Sequence, residues 1–260
     1  MKRRLQSITS KLPAIIAFLA IFAIWQALCS SGLVPAYMLP SPLNVIKAFF
    51  RDLPLILMHS KYTLTEAVIG LAIGVALAFV SATLMERFVV ISRAFYPLMI
   101  VTQTIPTIAI APVLVLWMGF GMAPKITLVV ITTYFPIAVG LLDGYRTVDR
   151  DSISLMRAMG ASWIQIFRHL KFPASLPQFF AGLKISASYA VVGAVVSEWL
   201  GGFNGLGVYM TRVKKAYAFD KMFAVIFFIV IISLLLMVLV DFIKMISMPW
   251  FRAEKGVEKK

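Results

Sequence analysis

Polar side chains lie inside the long apolar stretches of this sequence, where hydrogen bonding is the chemistry open to them. Six of them are candidates for contact with a solute: Gln103, Thr104, Tyr134, Ser188, Tyr189 and Glu198. Amides, hydroxyls and carboxylates in such surroundings either hydrogen-bond a neighbouring helix or line a path for a solute. We predict that these six line a translocation pathway, with helix packing as the alternative.

Glu198 stands apart because a carboxylate at the edge of the hydrocarbon layer costs free energy unless it is paired or hydrated. It could act as a gate or substrate contact, or it could pair with Lys214 or Lys215, and both interpretations stay open. Small residues precede it at helical spacing in a stripe that we interpret as a close helix contact. The stripe consists of Gly182, Ser186, Ala190 and Ala194. A similar stripe, interpreted in the same way, consists of Glu66, Gly70, Gly74, Ala78 and Ala82.

Bond-making chemistry is not indicated by the sequence. It shows no nucleophile beside a base, no metal-ligand set, no carboxylate pair at a plausible spacing, and no GxxxxGK[ST] phosphate loop. We therefore predict that this chain is not an enzyme and holds no metal or cofactor. Any ATP and Mg²⁺ must be used by a partner subunit. The single cysteine, Cys29, is given no role.

The composition is that of a membrane protein. Of the 260 residues, 61% are hydrophobic and 14% are charged, and the mean hydropathy is +0.92. A soluble core could not hide so much apolar surface. A bilayer-spanning helix needs about 20 apolar residues, which predicts one all-α transmembrane domain over 1–260. Its six segments are 12–30, 63–85, 94–117, 126–142, 180–200 and 222–243. The first is predicted to be an uncleaved helix, and 43–50 to be an interfacial helix.

The distribution of lysine and arginine predicts the orientation. If the N-terminus is cytoplasmic, 16 of the 25 basic residues fall inside, eight fall outside and Lys184 lies within a helix. This bias predicts a multi-pass protein of the inner or plasma membrane with both termini in the cytoplasm. The loop 201–221 is an exception to this bias, because it carries four cations on the predicted outer side.

The basic residues lie mostly between and outside the apolar segments, so membrane orientation accounts for the net charge of +14. We therefore expect lipid but no nucleic acid as a partner.

The charged segment 146–177, here the coupling loop, interrupts the apolar segments and has a helix–turn–helix pattern. A short helix over 154–159 is predicted to end at Gly160, which tolerates positive φ. Ser162 followed by Gln165 fits a capping box, so a second helix should begin there.

Two prolines, Pro173 and Pro177, are predicted to stop the second helix, because proline lacks the N–H and clashes with the preceding turn. Apolar residues alternate with cations such as Arg157 in both halves of the loop. They either pack on the cytoplasmic ends of the protein's own helices or lie in the groove of a partner. The sequence does not decide between these interpretations.

The coupling loop resembles the signature cytoplasmic loop of bacterial ABC importer permeases. The resemblance lies in three runs: Gly160, Ala161 and Ser162; Gln165, Ile166 and Phe167; and Pro173 to Pro177. In that family the loop docks into a cleft of the ATP-binding subunit. The resemblance therefore implies that coupling involves Arg157, Gly160, Ala161, Ser162, Gln165, Phe167, Pro173 and Pro177. The chain departs from the family at the start of the motif, where Ser154, Leu155 and Met156 replace glutamate and two alanines.

The resemblance covers nearly the whole chain through LPSPLNVIKAF, QTIPTIAIAPVLVLWMGFGMAPK and EWLGGFNGLGVYM. It implies the type I ABC importer permease fold, with coupling helices between transmembrane helices 4 and 5. It also implies three partners: a cytoplasmic ATPase dimer, a second permease chain, expected as a homodimer, and an extracytoplasmic substrate-binding protein.

The runs QTIP, FPI, DGYRTVD and GLGVYMTR are most similar to permeases for hydroxymethylpyrimidine, a thiamine precursor. The expected cargo is therefore an aminopyrimidine, and sulfonates, taurine, nitrate and riboflavin are the alternatives within the group. A different class of protein, an ion-coupled secondary carrier, is disfavoured. The sequence shows neither paired intramembrane acid and base residues nor inverted repeats.

Overall fold

The computed structural model describes residues 12–32, 34–35 and 38–249, and in these ranges all regular structure is helical. The helices are α1 (Leu12–Ser30), α2 (Pro42–Arg87), α3 (Val89–Thr104), α4 (Thr107–Met118), α5 (Met122–Arg146), α6 (Arg150–Ala158), α7 (Trp163–Ile166), α8 (Phe172–Glu198), α9 (Leu206–Lys215) and α10 (Phe219–Ser247). A π-helical turn, Phe167–Lys171, joins α7 to α8. The all-α prediction is confirmed. The basic residues at positions 2–4, at position 11 and from 252 onward, used for the orientation, lie outside the described residues.

Four continuous helical stretches are long and apolar enough to cross a membrane: α2, α5, the stretch Trp163–Glu198, and α10. Helices α3 and α4 add a fifth if the bent pair is one broken span, and α1 is a shorter apolar helix. A multi-pass protein is thus supported by length and composition. The count of six stays a prediction.

The predicted third segment is divided into two helices. Helices α3 and α4 meet at an angle of 101°, and Ile105 between them is extended, with φ −83° and ψ 122°. Pro106 explains the break, since proline lacks an amide hydrogen and drives the preceding residue out of helical geometry.

The separate interfacial helix predicted over 43–50 is wrong, because α2 runs for 46 residues without interruption. No glycine occurs between Pro42 and Tyr62 to end a helix. Just beyond this stretch, Asp52 is buried and paired within the helix: it accepts from Lys221 at 2.7 Å and from the Tyr209 hydroxyl at 2.5 Å. A paired carboxylate can be buried, so it does not end the helix.

The prolines of the coupling loop do not stop its second helix, contrary to prediction. The chain stays helical from Trp163 to Glu198. Pro173 lies in the first turn of α8, where an amide hydrogen is dispensable. The π-helical turn before it supplies the local change in winding, and Pro177 lies inside α8. The loop predicted over 201–221 likewise contains a helix, α9.

The chain divides into two compact units, residues 1–58 with 209–228 and residues 59–208 with 229–260. In the described part of the first unit, Trp25 packs against Phe223 and Phe227 at centroid distances of 6.0 and 5.9 Å. The second unit is centred on α5 and α8, and one of its apolar clusters includes Ile137 and Leu141.

Candidate translocation and coupling sites

Helices α5 and α8 form a close antiparallel seam that positions both ends of the second unit. A Cβ on Gly144 would lie 2.5 Å from Ser175 Cα, one on Gly140 2.7 Å from the Gln178 carbonyl oxygen, and one on Gly182 2.3 Å from the Pro136 oxygen. As the residue number falls on α5 it rises on α8. The coupling loop therefore lies at one end of this seam, and the turns 119–121 and 199–205 lie at the other.

Both small-residue stripes are helix contacts, as predicted. On α8, the Ser186 hydroxyl donates to the Thr133 carbonyl oxygen at 2.8 Å, and Ala190 and Ala194 are fully buried. On α2, a Cβ on Gly74 would lie 2.5 Å from Thr133 Oγ1. Close backbone approach is the usual role of small residues between membrane helices.

Two of the predicted pathway residues share a cavity of about 210 Å³ in the second unit. Gln103 and Tyr189 line it together with Thr102, Thr107 and Thr132. The break between α3 and α4 places these groups, because Gln103 precedes it and Thr107 follows it. The cavity thus combines an amide, several hydroxyls and an aromatic ring.

The other predicted pathway residues lie elsewhere. Tyr134 lines a second, more apolar cavity of about 400 Å³ and donates its hydroxyl to Ser81 Oγ at 2.8 Å. Thr104 is exposed and bonds to the Val101 carbonyl oxygen at 2.8 Å. Ser188 is half-buried and lines neither cavity.

Glu198 is 1% exposed and belongs to a hydrogen-bonded cluster. Its Oε1 accepts from the Thr63 hydroxyl at 2.7 Å, and its Oε2 accepts from the Gly207 amide at 2.6 Å. A hydroxyl and an amide satisfy this carboxylate, so the predicted pairing with Lys214 or Lys215 is not what stabilises it. Glu198 lines neither of the two cavities described above.

The glycine-rich turn before α9 closes on this cluster. The Gly205 amide donates to His59 Nδ1 at 3.1 Å, and the Leu206 amide donates to Thr63 Oγ1 at 2.8 Å. Gly205 has φ +125°, and a Cβ there would lie 2.2 Å from Glu198 Cδ. Only glycine fits this position. Sequence reasoning missed His59 and Thr63, although the run GGFNGLG was a signal of close backbone approach.

A buried ion pair lies near the same end of the seam. Lys125 Nζ is 2.8 Å from Glu66 Oε1, and the two side chains are 7% and 1% exposed. Sequence reasoning missed this pair, since it assigned Lys125 to an outer loop and Glu66 to a packing stripe. The prediction that no acid and base residues pair within the apolar segments, which counted against a secondary carrier, is therefore wrong. The signal was the position of both charges inside or beside apolar segments.

The coupling loop has the turn geometry that the sequence predicts. Gly160 has φ +82°, and both hydrogen bonds of the Ser162–Gln165 capping box are present. The first helix, α6, begins earlier than predicted because Asp149 caps it by accepting from the Ser152 amide. Hydrogen bonds from the backbone amides at this helix end lower the pKa of Asp149 below its usual value.

The apolar side chains of the coupling loop divide into two groups. Phe167 packs inward, stacked on Trp163 at 5.2 Å and 5.4 Å from the Tyr145 ring. Leu155, Met159 and Ile164 are 63%, 78% and 67% exposed. The loop therefore both anchors on its own helix ends and presents an apolar face. Of the other predicted coupling residues, Arg157 is exposed and Ala161 is half-buried.

The end of α2 holds the coupling loop through two charged contacts. Lys171 forms an ion pair with Glu86. The guanidinium of Arg87 lies over the Trp163 ring, 5.1 Å from its centroid. Both anchoring residues of the loop thus contact the last turn of a predicted span.

The family described as the binding-protein-dependent transport system inner membrane component matches residues 53–253. The chain belongs to this family. It is therefore a permease subunit of an ABC importer and a multi-pass inner-membrane protein, not an enzyme.

Curated relatives extend along nearly the whole permease. A probable ABC transporter permease protein of Haemophilus influenzae is 37% identical over 85% of this chain and 90% of its own length. The formylaminopyrimidine transport permease protein ThiX of Halalkalibacterium halodurans is 35% identical over 96% and 98%. More distant relatives, 25% to 28% identical, are named as riboflavin, aliphatic sulfonate and taurine transport permeases.

A solved structure of the methionine ABC transporter MetNI, in inward-facing conformations, contains a chain of similar fold. The TM-score is 0.59 at 20% identity, and the match covers 74% of this permease and 94% of that chain. This likeness supports the ABC importer permease fold that the sequence implies.

Proposed function

We propose that this permease, paired with a second copy of itself, forms the pathway of an ATP-driven importer for an aminopyrimidine precursor of thiamine. The observation that carries the proposal is the 35% identity to a formylaminopyrimidine permease over 96% of the chain. Relatives named for riboflavin, sulfonate and taurine are 25% to 28% identical. An extracytoplasmic binding protein delivers the cargo in this scheme.

The chemistry of the cavity around Gln103 supports the same cargo. An amide, several hydroxyls and the Tyr189 ring suit a flat solute with hydrogen-bonding edges, and no lysine or arginine is among the described residues that line it. Lys184, the basic residue within α8, is paired with Asp241 at 2.6 Å. A sulfonate or nitrate would require fixed positive charge to offset its lost hydration.

Growth of a thiamine auxotroph that requires the pyrimidine moiety tests the cargo. On limiting hydroxymethylpyrimidine, growth should stop when this permease is deleted and should return when it is restored from a plasmid. A parallel culture supplied with taurine as the sulfur source is the control. If deletion abolishes growth on taurine and leaves growth on the pyrimidine intact, the sulfonate alternative replaces the proposal.

We further propose that the coupling loop docks on a cytoplasmic ATPase dimer. The exposed apolar face of Leu155, Met159 and Ile164, beside the exposed Arg157, supports this role. The inward anchoring of Phe167 and Lys171 gives the docked loop a firm connection to α5 and α2. With this loop in the cytoplasm and six spans, both termini lie on the same side.

The variant Gly160→Val tests the docking of the coupling loop on the ATPase. Gly160→Val places a β-branched residue at φ +82° and should cost roughly 1 kcal/mol or more in the turn, so less ATPase should co-purify. Gly32→Val is a matched control, because Gly32 has φ +73° and open space around it, as Gly160 does. Equal ATPase recovery with both variants would contradict the docking role.

The energy source separates the importer from an ion-coupled carrier. In sealed vesicles containing the permease, its ATPase and the binding protein, uptake should require ATP and persist when ion gradients are collapsed. Counterflow by the permease alone, without ATP, would favour the secondary carrier.

A further inference from the structure

A third cavity, of about 560 Å³, lies at the end of the seam remote from the coupling loop. It is in the size range of small-molecule sites, about 300 to 1,000 Å³. The turns at the start of α5 and after α8 contribute most of its wall. The lining includes Tyr62, Glu66, Phe120, Lys125, Phe203 and Asn204. None of these residues lines the cavity around Gln103.

Charge in this wall is nearly inaccessible to water. Glu66 and Lys125 are 1% and 6% exposed and form the ion pair described above. The second oxygen of Glu66, Oε2, is buried and accepts no hydrogen bond from an amide, ammonium or hydroxyl group among the described residues; a proton on the adjoining Glu198 carboxyl is the alternative donor. A buried acceptor without a donor is costly, which favours a ligand that brings one.

The sign of the charge restricts the ligand. The carboxyl of Glu198 adjoins that of Glu66, so one ammonium, Lys125, serves two carboxyl groups. Whichever carboxyl holds a proton, the cluster has no uncompensated positive charge. An anion such as a sulfonate would therefore find no surplus cation to replace its water.

Aromatic rings and an amide complete the wall. Phe120 and Phe203 are 78% and 90% exposed, large fractions for phenylalanine. Asn204 contributes a side-chain amide that can both donate and accept. At Gly202 a Cβ would lie 3.1 Å from Lys125 Nζ, so a side chain there would press on the ammonium. Glycine keeps this side of the wall open.

We propose that this cavity binds a flat, hydrogen-bonding aromatic solute without net negative charge, of the aminopyrimidine class, before the solute enters the pathway. The exposed rings stack on the solute, and the Glu66 oxygen accepts from its amino group. The inference rests on the proposed function for the identity of the cargo. It adds a contact site on the permease itself, distinct from the cavity around Gln103.

Protection of an engineered cysteine tests the site. In a Cys29→Ser background, Met122→Cys places a thiol at the cavity wall, where Met122 is 42% exposed. Hydroxymethylpyrimidine at twice its dissociation constant should slow reaction with a small aqueous maleimide about threefold, as expected for two-thirds occupancy. Met38→Cys, at a methionine that is 63% exposed and lines none of the three cavities, is the control and should be unaffected.

A second variant tests the stacking without disturbing the buried pair. Phe203→Ala removes an almost fully exposed ring, so folding should be preserved. It should raise the hydroxymethylpyrimidine concentration that gives half-maximal protection of the Met122→Cys thiol about fivefold or more, because the contact between ring and base is lost. The measurement uses the full complex in nanodiscs, without the binding protein, so that binding-protein docking cannot affect the result.

The outcomes separate this proposal from the proposed function. Protection by hydroxymethylpyrimidine but not by ethanesulfonate, lost in Phe203→Ala, supports the site. Uptake of hydroxymethylpyrimidine by the intact system without any protection would overturn the site and leave the proposed function standing. Protection without uptake would support the site and overturn the proposed function. Protection by ethanesulfonate alone would overturn the assigned class of ligand.

Discussion

Gly182→Ala should weaken the α5–α8 seam strongly. The added methyl carbon would lie 2.3 Å from the Pro136 carbonyl oxygen, whereas carbon and oxygen ordinarily approach to about 3.3 Å. Relief therefore requires a local separation of the two backbones by about 1 Å. Forcing an extra carbon into a close-packed interface costs about 1 to 3 kcal/mol. We expect a loss of this size in the free energy of unfolding.

Gly193→Ala, on the same helix, is the matched control. There the new carbon would lie 3.1 Å from Thr132 Oγ1, a side-chain atom that can move, with the Val129 backbone at 3.7 Å. Unfolding is measured by titration with SDS in mixed micelles, followed by circular dichroism. The cost of Gly193→Ala should be less than half that of Gly182→Ala. Equal losses, or a larger one at Gly193, would refute the claim that backbone contact sets the penalty.

Three further predictions concern the coupling loop, the Glu198 cluster and the pathway. Ser162→Ala removes the capping box and should cost about 0.5 to 2 kcal/mol locally, seen as reduced co-purification of the ATPase; unchanged recovery would contradict it. Thr63→Val leaves the Leu206 amide without its acceptor and should cost about 1 to 3 kcal/mol in SDS unfolding, unlike Thr65→Val at an exposed site. In a Cys29→Ser background, Gln103→Cys should react with aqueous thiol reagents and Glu198→Cys should not, because Gln103 is exposed and Glu198 is buried; the reverse order would be inconsistent with this structure.

Local sequence signals predicted local geometry well. The capping box at Ser162 and the positive φ at Gly160 each depend on a few neighbouring residues, and each is confirmed. Proline was less reliable. Its effect depends on its place in the helix, and Pro173 lies in a first turn where its missing amide hydrogen is harmless.

The candidate sites were predicted only in part. Gln103 and Tyr189 meet in one cavity, but Tyr134, Ser188 and Glu198 do not line it. A polar residue in an apolar segment indicates that some group must satisfy it, and the sequence does not say which group does so. Glu198 was predicted as a gate or as the partner of a lysine, and its hydrogen-bond donors are Thr63, 135 positions away, and the Gly207 amide.

By itself, the sequence determined that this is a membrane protein, that its fold is helical, which family it resembles and how the coupling loop turns. Composition, periodicity and short-range steric rules act over a few residues, so they can be read without knowing the fold. Tertiary structure alone decided the partners of the buried charges. Glu66 and Lys125 are 59 positions apart, and only the packing of α2 against α5 brings them together. The cavity beside that pair likewise exists because the antiparallel α5–α8 seam places two distant turns at one end.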